Sequence, residues 1–182
     1  VSVGDIAIND SLHFPETTMK LVAHNDISLV QLNTRAGKTL NAASINASVQ
    51  TLEDGVRLSF FPSSFVLKNK KWTLEKDGEL TLRKNYIHAN EIRFKNDDQE
   101  IVLGTELDSV TDDVHLVAKL KNVMIEDFLP FWVTNPDMRG KLTGAATITD
   151  PMGSPKIVFK GVADSFSLNQ RYVGKVMLDG GV

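Results

Sequence analysis

The chain has 182 residues, of which 42% are hydrophobic and 24% are charged, and its formal net charge is −3. This balance is ordinary for a folded protein, and it leaves no strongly basic surface for nucleic acid. The absence of cysteine excludes thiolate catalysis, disulfide bonds and cysteine-based zinc sites. The sequence has no run of about 18 apolar residues, so no segment predicts a membrane-spanning helix.

The start of the sequence does not show the charged-then-apolar pattern of a signal peptide. Val1 opens directly in strand-like sequence, and the final residues 179–182 stop in mid-pattern. No linker rich in serine, glycine or proline divides the chain. We therefore expect residues 1–182 to be one architectural unit of a longer protein, with any membrane anchor outside this segment.

Apolar and polar residues alternate along most of the chain, which is typical of β-strands with one apolar and one wet face. About fourteen such strands fit the sequence at the spacing of a meander, a sandwich or a barrel. The phase of the alternation slips once, at Ala42 and Ala43. The clearest runs, in chain order, are residues 40–50, 56–60, 72–75, 80–83, 114–121, 142–148 and 157–163.

Turn residues separate these runs. Asp54-Gly55 and Asp77-Gly78 each predict a two-residue hairpin. Residues 96–98 (NDD), 111–113 (TDD) and 150–155 (DPMGSP) predict further turns. Gly140 and Gly144 lie in a strand pattern, where glycine marks a bend or a close backbone approach.

One stretch, residues 124–133, departs from the alternation. Its apolar residues at 125, 128, 129 and 132 have helical spacing, while Pro130 argues against a long helix. We expect a short helical insert that lays Phe128, Phe131 and Trp132 over one end of the sheet as a hydrophobic plug. A finger that touches a membrane is the alternative.

No catalytic or metal-binding pattern emerges from the sequence. The only grouped metal-ligand candidates are Asp112, Asp113 and His115, and no second cluster completes a site. The carboxylate pairs Glu126-Asp127 and Asp97-Asp98 lie at a helix start or in a turn. Because nucleophile, zinc and phosphate-binding motifs are also missing, we expect neither an enzyme nor a cofactor. The four histidines, His13, His24, His88 and His115, are each isolated in strand-like sequence.

From about Ser63 onward the chain resembles the TamB/AsmA-like family of bacterial envelope proteins, in the versions found in Bacteroidota. Residues 62–74 (PSSFVLKNKKWTL) resemble the family's phenylalanine strand, lysine/asparagine turn and tryptophan strand. Residues 138–148 (MRGKLTGAATI) with 153–157 (GSPKI) resemble its glycine-bearing strand pair followed by a proline. The remaining matches are residues 101–104 (IVLG), 114–121 (VHLVAKLK), 125–129 (IEDFL) and 173–176 (VGKV).

The resemblance implies a curled antiparallel β-sheet whose apolar lining forms a U-shaped groove. It also implies a periplasmic location in a protein anchored to the inner membrane. The partners implied are phospholipid acyl chains, carried between the membranes, and an outer-membrane barrel that assembles outer-membrane proteins. The family provides no catalytic residue and no short binding motif to transfer to this sequence.

A groove suits the alternation, because an apolar sheet face must be covered by a layer, by closure or by a ligand. Small residues on that face, such as Gly144 and Gly161, would permit curvature and leave room beside the lining. The side chains expected to line the groove are Leu58, Leu74, Leu82, Leu116, Ala118, Leu120 and Phe159.

Other architectures fit the same alternation. A closed sandwich would use these residues to fill a dry core. An all-β adhesion or binding module of a secreted protein would carry its function in long loops, few of which are present. A carbohydrate-active enzyme would need two carboxylates facing each other across a cleft.

Overall fold

The computed structural model of the chain describes residues 2–9, 12–35, 40–74, 78–84, 86–107, 114–128, 136–150, 154 and 156–181. The strands in this part of the chain belong to one antiparallel sheet. They are β1 (Ser2–Asn9), β2 (Leu12–His24), β3 (Ile27–Arg35), β4 (Leu40–Leu52), β5 (Gly55–Phe60), β6 (Ser63–Leu67), β7 (Lys70–Leu74), β8 (Glu79–Arg83), β9 (Tyr86–Asn90), β10 (Ile92–Asn96), β11 (Gln99–Leu107), β12 (Val114–Met124), β13 (Met138–Thr149), β14 (Lys156–Leu168) and β15 (Arg171–Gly181). One short helix, α1 (Ile125–Phe128), follows β12.

The sheet is a meander in which most strands pair with their neighbours along the chain, while β5 and β6, β7 and β8, and β9 and β10 do not pair with each other. Its main path has twelve positions, from β1 at one edge to β15 at the other. At three positions two short strands together take the place of one long strand with a break. The first position holds β5 and β6, which both pair with β4. The second holds β8, which pairs with β5, and β7, which pairs with β6; the third holds β9, which pairs with β8, and β10, which pairs with β7. The predicted all-β fold, a curled antiparallel sheet with one short helical insert, is confirmed.

The three breaks lie side by side across the middle of the sheet. Pro62 follows the end of β5 and has no backbone N–H to donate to a ladder. The Phe60 N–H donates to the Gly78 carbonyl at 2.8 Å, which joins the first break to the second. Glu91 has a φ of 39° at the third. Because these residues interrupt adjacent ladders at the same level, the strands can bend there together.

Bulges adjust which residues face the same side. The predicted phase slip near Ala42 is confirmed, since the register of β4 against β6 shifts between Leu40 and Ala42. A second bulge at Asn122, whose φ is 53°, shifts the register between Leu120 and Val123. One extra residue turns the next side chain to the other face, so Val123 joins the face of Leu120.

The predicted turns have mixed outcomes. The hairpin predicted at Asp54-Gly55 is present, but its two-residue turn is Glu53-Asp54 and Gly55 already pairs with Leu52. Asp97 lies in the turn between β10 and β11. The hairpin at Asp77-Gly78 is wrong, because β7 and β8 pair with different neighbours and not with each other. The turn at residues 111–113 lies outside the described residues.

The sheet is curled around one of its faces. Cα atoms of β9 approach those of β12 within 8 Å, although these strands are not neighbours. β11 lies between β12 and the strand position that β9 and β10 share. Strands two positions apart in a flat sheet would be separated by about 9.6 Å. The side chains that meet in this curl are apolar and come from non-adjacent strands, so the apolar face is the concave one.

The accessible surface of the molecule is large for its mass. The chain has 11432 Å² of accessible surface, whereas a compact monomer of this mass would expose about 8,700 Å². A single curled sheet explains the difference, because no second layer of the described residues covers it.

Candidate functional site

The seven predicted groove residues share one face of the sheet, which we call the apolar face. In β7, Leu74 lies opposite Phe94, which in turn lies opposite Ile101 of β11. Ile101 then lies opposite Leu120 of β12. Residues directly opposite each other, and alternate residues of one strand, point to the same side. The same rule assigns Leu58, Leu82, Leu116, Ala118 and Phe159 to this face.

Part of the apolar face is closed by the protein's own side chains. Leu74 and Leu116 are 3% and 8% exposed, and they form a cluster with Ala89 and Ile92. These two predicted lining residues are therefore core residues where the curl is tightest. The other five predicted residues remain partly exposed along the face.

A second cluster closes the face at the ends of β6, β7 and β12. Leu67 and Trp72 are fully buried there. The Trp72 ring stacks on Phe65 at a centroid distance of 5.9 Å and meets Phe128 edge to face at 5.4 Å. Phe128 belongs to α1, so the helix lays an aromatic ring over this end of the concave face.

Polar contacts hold α1 in this position. The buried Asp127 carboxylate pairs with Lys70 Nζ at 2.6 Å, and Lys68 Nζ donates to the Glu126 carbonyl. On the other side, the Gly140 N–H donates to Glu126 Oε2 at 3.1 Å. The predicted plug is thus present for Phe128, whereas Phe131 and Trp132 lie outside the described residues. The carboxylate pair of α1 anchors the helix in these contacts.

Phe159 occupies the space that two glycines leave on the apolar face. Gly144 lies opposite Gly161 in the ladder between β13 and β14. A Cβ atom on either glycine would approach Phe159 Cζ to 2.9 or 2.8 Å. The small residues therefore accommodate an aromatic ring of the same face, and the ring covers backbone that would otherwise be bare.

Towards the ends of several strands the apolar face is open. Leu107 and Val114 form a cross-strand pair and are 64% and 43% exposed, and Ile157 is 40% exposed. Leu21 of β2 lies on the same face and is 56% exposed. These four residues were not among the predicted lining, although the alternation of β11, β12 and β14 extends to three of them.

The opposite, convex face carries charges in cross-strand pairs. Arg93 Nη1 lies 2.5 Å from Glu100 Oε1, and Arg57 Nε lies 3.3 Å from Glu79 Oε1. Lys119 pairs with the Glu106 carboxylate on the neighbouring strand. Beside β13, a hydrogen bond from Arg139 to Asp137 and the charge of that carboxylate raise the pKa of the guanidinium above its ordinary value. These charged pairs thus lie on the convex face, whereas the two buried apolar clusters lie on the concave one.

A cavity of about 220 Å³ lies where β9 diverges from β11. Its lining includes His88, Glu91, Glu106 and Lys119. The Thr105 hydroxyl lies 2.8 Å from His88 Nδ1 and 3.2 Å from the Ala89 carbonyl. These hydrogen bonds connect β9 and β11, which do not share a ladder.

The metal-ligand candidates do not gather into a site in the described part of the chain. No group of three or more histidine or acidic side chains there could hold a metal ion. Asp112 and Asp113 lie outside the described residues. Asp98, from the other predicted carboxylate pair, accepts hydrogen bonds from Asn122 and Lys141.

Among the described residues, the single helix is far too short to cross a bilayer. Comparisons of the chain with protein-family models, with curated proteins and with solved structures find no match.

Proposed function

We propose that this chain is a groove segment of a TamB-like envelope protein and that its apolar face holds phospholipid acyl chains. The observation that carries the proposal is the concave apolar face, which no second layer of the described residues covers. A closed sandwich would have buried this face. Here Leu107, Val114 and Ile157 keep 40% or more of their surface exposed on it.

The energetics of an acyl chain on such a face need no polar contact. Burial of each methylene group contributes about 0.8 kcal/mol, so a chain of about twelve methylenes would gain roughly 10 kcal/mol before ordering costs. Binding of this kind depends on apolar area and not on a motif. This is consistent with the lack of any catalytic or ligand-binding pattern in the sequence.

The apolar clusters place limits on where the lipid would lie. Trp72 and Phe128 close one end of the face, and Leu74 with Leu116 fills its narrowest part. We therefore expect lipid contacts at the open strand ends around Ile157 and along the partly exposed residues Leu120 and Phe159.

The wider role in this proposal follows from the resemblance stated above. The segment would lie in the periplasm, in a protein anchored to the inner membrane by a part outside this chain. It would act in phospholipid transport between the membranes and in the assembly of outer-membrane proteins with an outer-membrane barrel partner.

Two substitutions at adjacent positions test lipid binding. Ile157 and Val158 are 40% and 42% exposed but lie on opposite faces. We expect Ile157→Asp to weaken binding of a fluorescent phospholipid by about tenfold or more, because a carboxylate would have to be desolvated against the acyl chain. Val158→Asp, the matched control, should change binding by less than about twofold.

Native mass spectrometry of the chain purified from bacteria provides a second measurement. We expect bound phospholipid that is reduced by Ile157→Asp and retained by Val158→Asp. Equal effects of the two substitutions, or a chain that never binds lipid, would contradict the proposal. Circular dichroism of both variants checks that the sheet is intact.

A further inference from the structure

Three short strands form a unit that is attached to the sheet along one side. β8 pairs with β5, β9 pairs with β8, and β9 has no further partner in the described part of the chain. This unit of β5, β8 and β9, which we call the flap, is joined to the long strand β4 by the ladder between β4 and β5. Its other side is the edge of β9, which lies in the interior of the sheet and faces β11 with Cα atoms within 8 Å.

Backbone pairing is missing along the seam between β9 and β11. The ladder from β10 to β11 ends at Ile92 and Leu103, and beyond it β11 pairs with β12 alone among the described strands. The Thr105 hydroxyl crosses the seam to His88 Nδ1 at 2.8 Å and to the Ala89 carbonyl at 3.2 Å. The cavity of about 220 Å³ lies in the same seam. Separation of the two strands would therefore break side-chain contacts but no backbone ladder.

Apolar packing holds the flap over the narrowest part of the apolar face. Ala89 of the flap is 2% exposed. It packs in one buried cluster with three residues from the rest of the sheet, Leu74, Ile92 and Leu116. Because apolar contacts are non-directional and scale with buried area, the methylenes of a lipid tail would replace them without a specific partner. The cluster can therefore be closed by the flap or filled by an acyl chain.

The three breaks of the sheet lie together at the base of the flap. Pro62 follows β5, Gly78 precedes β8 and Glu91 follows β9. A Cβ atom on Gly78 would approach the Cα atom of Ile92 to 2.9 Å, so the second and third breaks pack on each other. Hinges are commonly a few residues at the ends of elements, which absorb the change in φ and ψ. The flap thus meets the rest of the sheet at residues suited to a hinge.

We propose that the flap swings about these three breaks and so opens and closes the narrow part of the groove. In the closed arrangement Ala89 packs beside Leu116, and Thr105 bridges the seam. In the open arrangement β9 moves away from β11 and β12, and a lipid tail lies against Leu74 and Leu116. The motion itself needs no ligand, whereas its role in lipid binding rests on the proposed function.

Distances between two spin labels test the motion. The chain has no cysteine, so Lys84→Cys, beyond β8 at the end of the flap far from the breaks, and Glu106→Cys on β11 can be labelled selectively. Both residues are exposed. We expect the distance distribution to be at least about twice as wide as that of a control pair, Glu106→Cys with Lys160→Cys. The control strands β11 and β14 are joined by continuous ladders.

Phospholipid vesicles should shift the distances of the flap pair and not those of the control pair. We expect the flap pair to lengthen by about 5 Å, which is roughly the spacing of one strand position. A flap pair that is as narrow as the control without lipid, and unchanged with lipid, overturns the proposal.

Chemical linking across the seam tests the role of the flap in lipid binding. His88→Cys and Thr105→Cys, joined by a short bis-maleimide, would hold the seam closed. The matched control joins Val102→Cys and Lys119→Cys in the same way, because these two residues are already opposite each other in a ladder. Both linked proteins are then mixed with a phospholipid that carries a photoactivatable group in its acyl chain.

The position of the lipid adducts gives the result. We expect the link across the seam to reduce adducts on peptides that contain Ala89 or Leu116 by at least about fivefold relative to the control, because the open arrangement is no longer populated. Adducts around Ile157 should remain. Equal adducts at Ala89 and Leu116 in both proteins would overturn the role of the flap. If Ile157 is labelled in neither protein, the proposed lipid function fails, and the spin-label distances without lipid decide whether the flap moves.

Discussion

At the scale of single residues, the Phe159 ring packs over Gly144 and Gly161, so two small residues and one large residue are matched at this point of the apolar face. The ring lies where side chains of the two glycines would be. Aromatic cover of this kind compensates for the weak strand propensity of glycine. The space is therefore part of the fold and is not reserved for a ligand.

Substitution of one glycine tests this arrangement. A Cβ at residue 144 would approach the Lys160 carbonyl oxygen to 2.3 Å, so Gly144→Ala forces the backbone apart. We expect a loss of about 2–3 kcal/mol in the free energy of unfolding, measured by urea denaturation. Gly104→Ala is the control, because its nearest neighbour would be the Ala89 carbonyl oxygen at 3.9 Å. Equal losses at both positions would show that the contact is unimportant.

The sequence predicted which residues share a face but not how deeply each is buried. Alternation identified Leu116 and Phe159 as partners on one side, because a strand places every second residue on the same face. Burial of Leu116 depends on the curl that brings β9 close to β12, which is a contact between distant parts of the chain. Exposure of Ile157 at the open end could not be read from local pattern for the same reason.

At the scale of elements, α1 is the feature that ends the apolar face. The helix is four residues long, which is too short to be stable by itself. It is held by the packing of Phe128 on Trp72 and by the ion pair between Asp127 and Lys70. Stability of this end therefore depends on tertiary contacts.

Loss of the cation beside Asp127 tests these contacts. Asp127 has only 4% of its side-chain surface exposed, and Lys70 Nζ is its partner at 2.6 Å. We expect Lys70→Met to lower the free energy of unfolding by about 1–3 kcal/mol, because the buried carboxylate loses its compensating charge. The exposed Lys71, on the opposite face, provides the control: Lys71→Met should change stability by less than about 0.5 kcal/mol. Identical urea midpoints for wild type and Lys70→Met would contradict this account.

Turns were predicted well only where local and long-range preferences agree. Asp54-Gly55 joins two strands that pair with each other, so its turn chemistry and the ladder act together. At Asp77-Gly78 the turn preference is opposed by ladders on both sides. β7 pairs with β6 and β10, and β8 pairs with β5 and β9, so β7 and β8 do not pair with each other. Pairing on both sides of the break outweighs the preference of a single dipeptide.

At the scale of the whole molecule, the open sheet should be visible in its dimensions. Twelve strand positions would extend over about 55 Å across a flat sheet, which is wider than a compact chain of this length. Such a compact chain has a radius of gyration of about 16 Å. We expect small-angle scattering to give a radius of gyration clearly above that value. A value at or below that of a compact chain would indicate a closed core.

In the proposed function, a lipid tail lies against the concave face and not against the convex one. Photo-crosslinking with a benzophenone side chain at residue 157 or at residue 158 tests it most directly, since these neighbours are similarly exposed and point to opposite sides. With phospholipid vesicles, we expect a lipid adduct from residue 157 and little or none from residue 158. Equal labelling at both residues, or adducts from residue 158 alone, would contradict it.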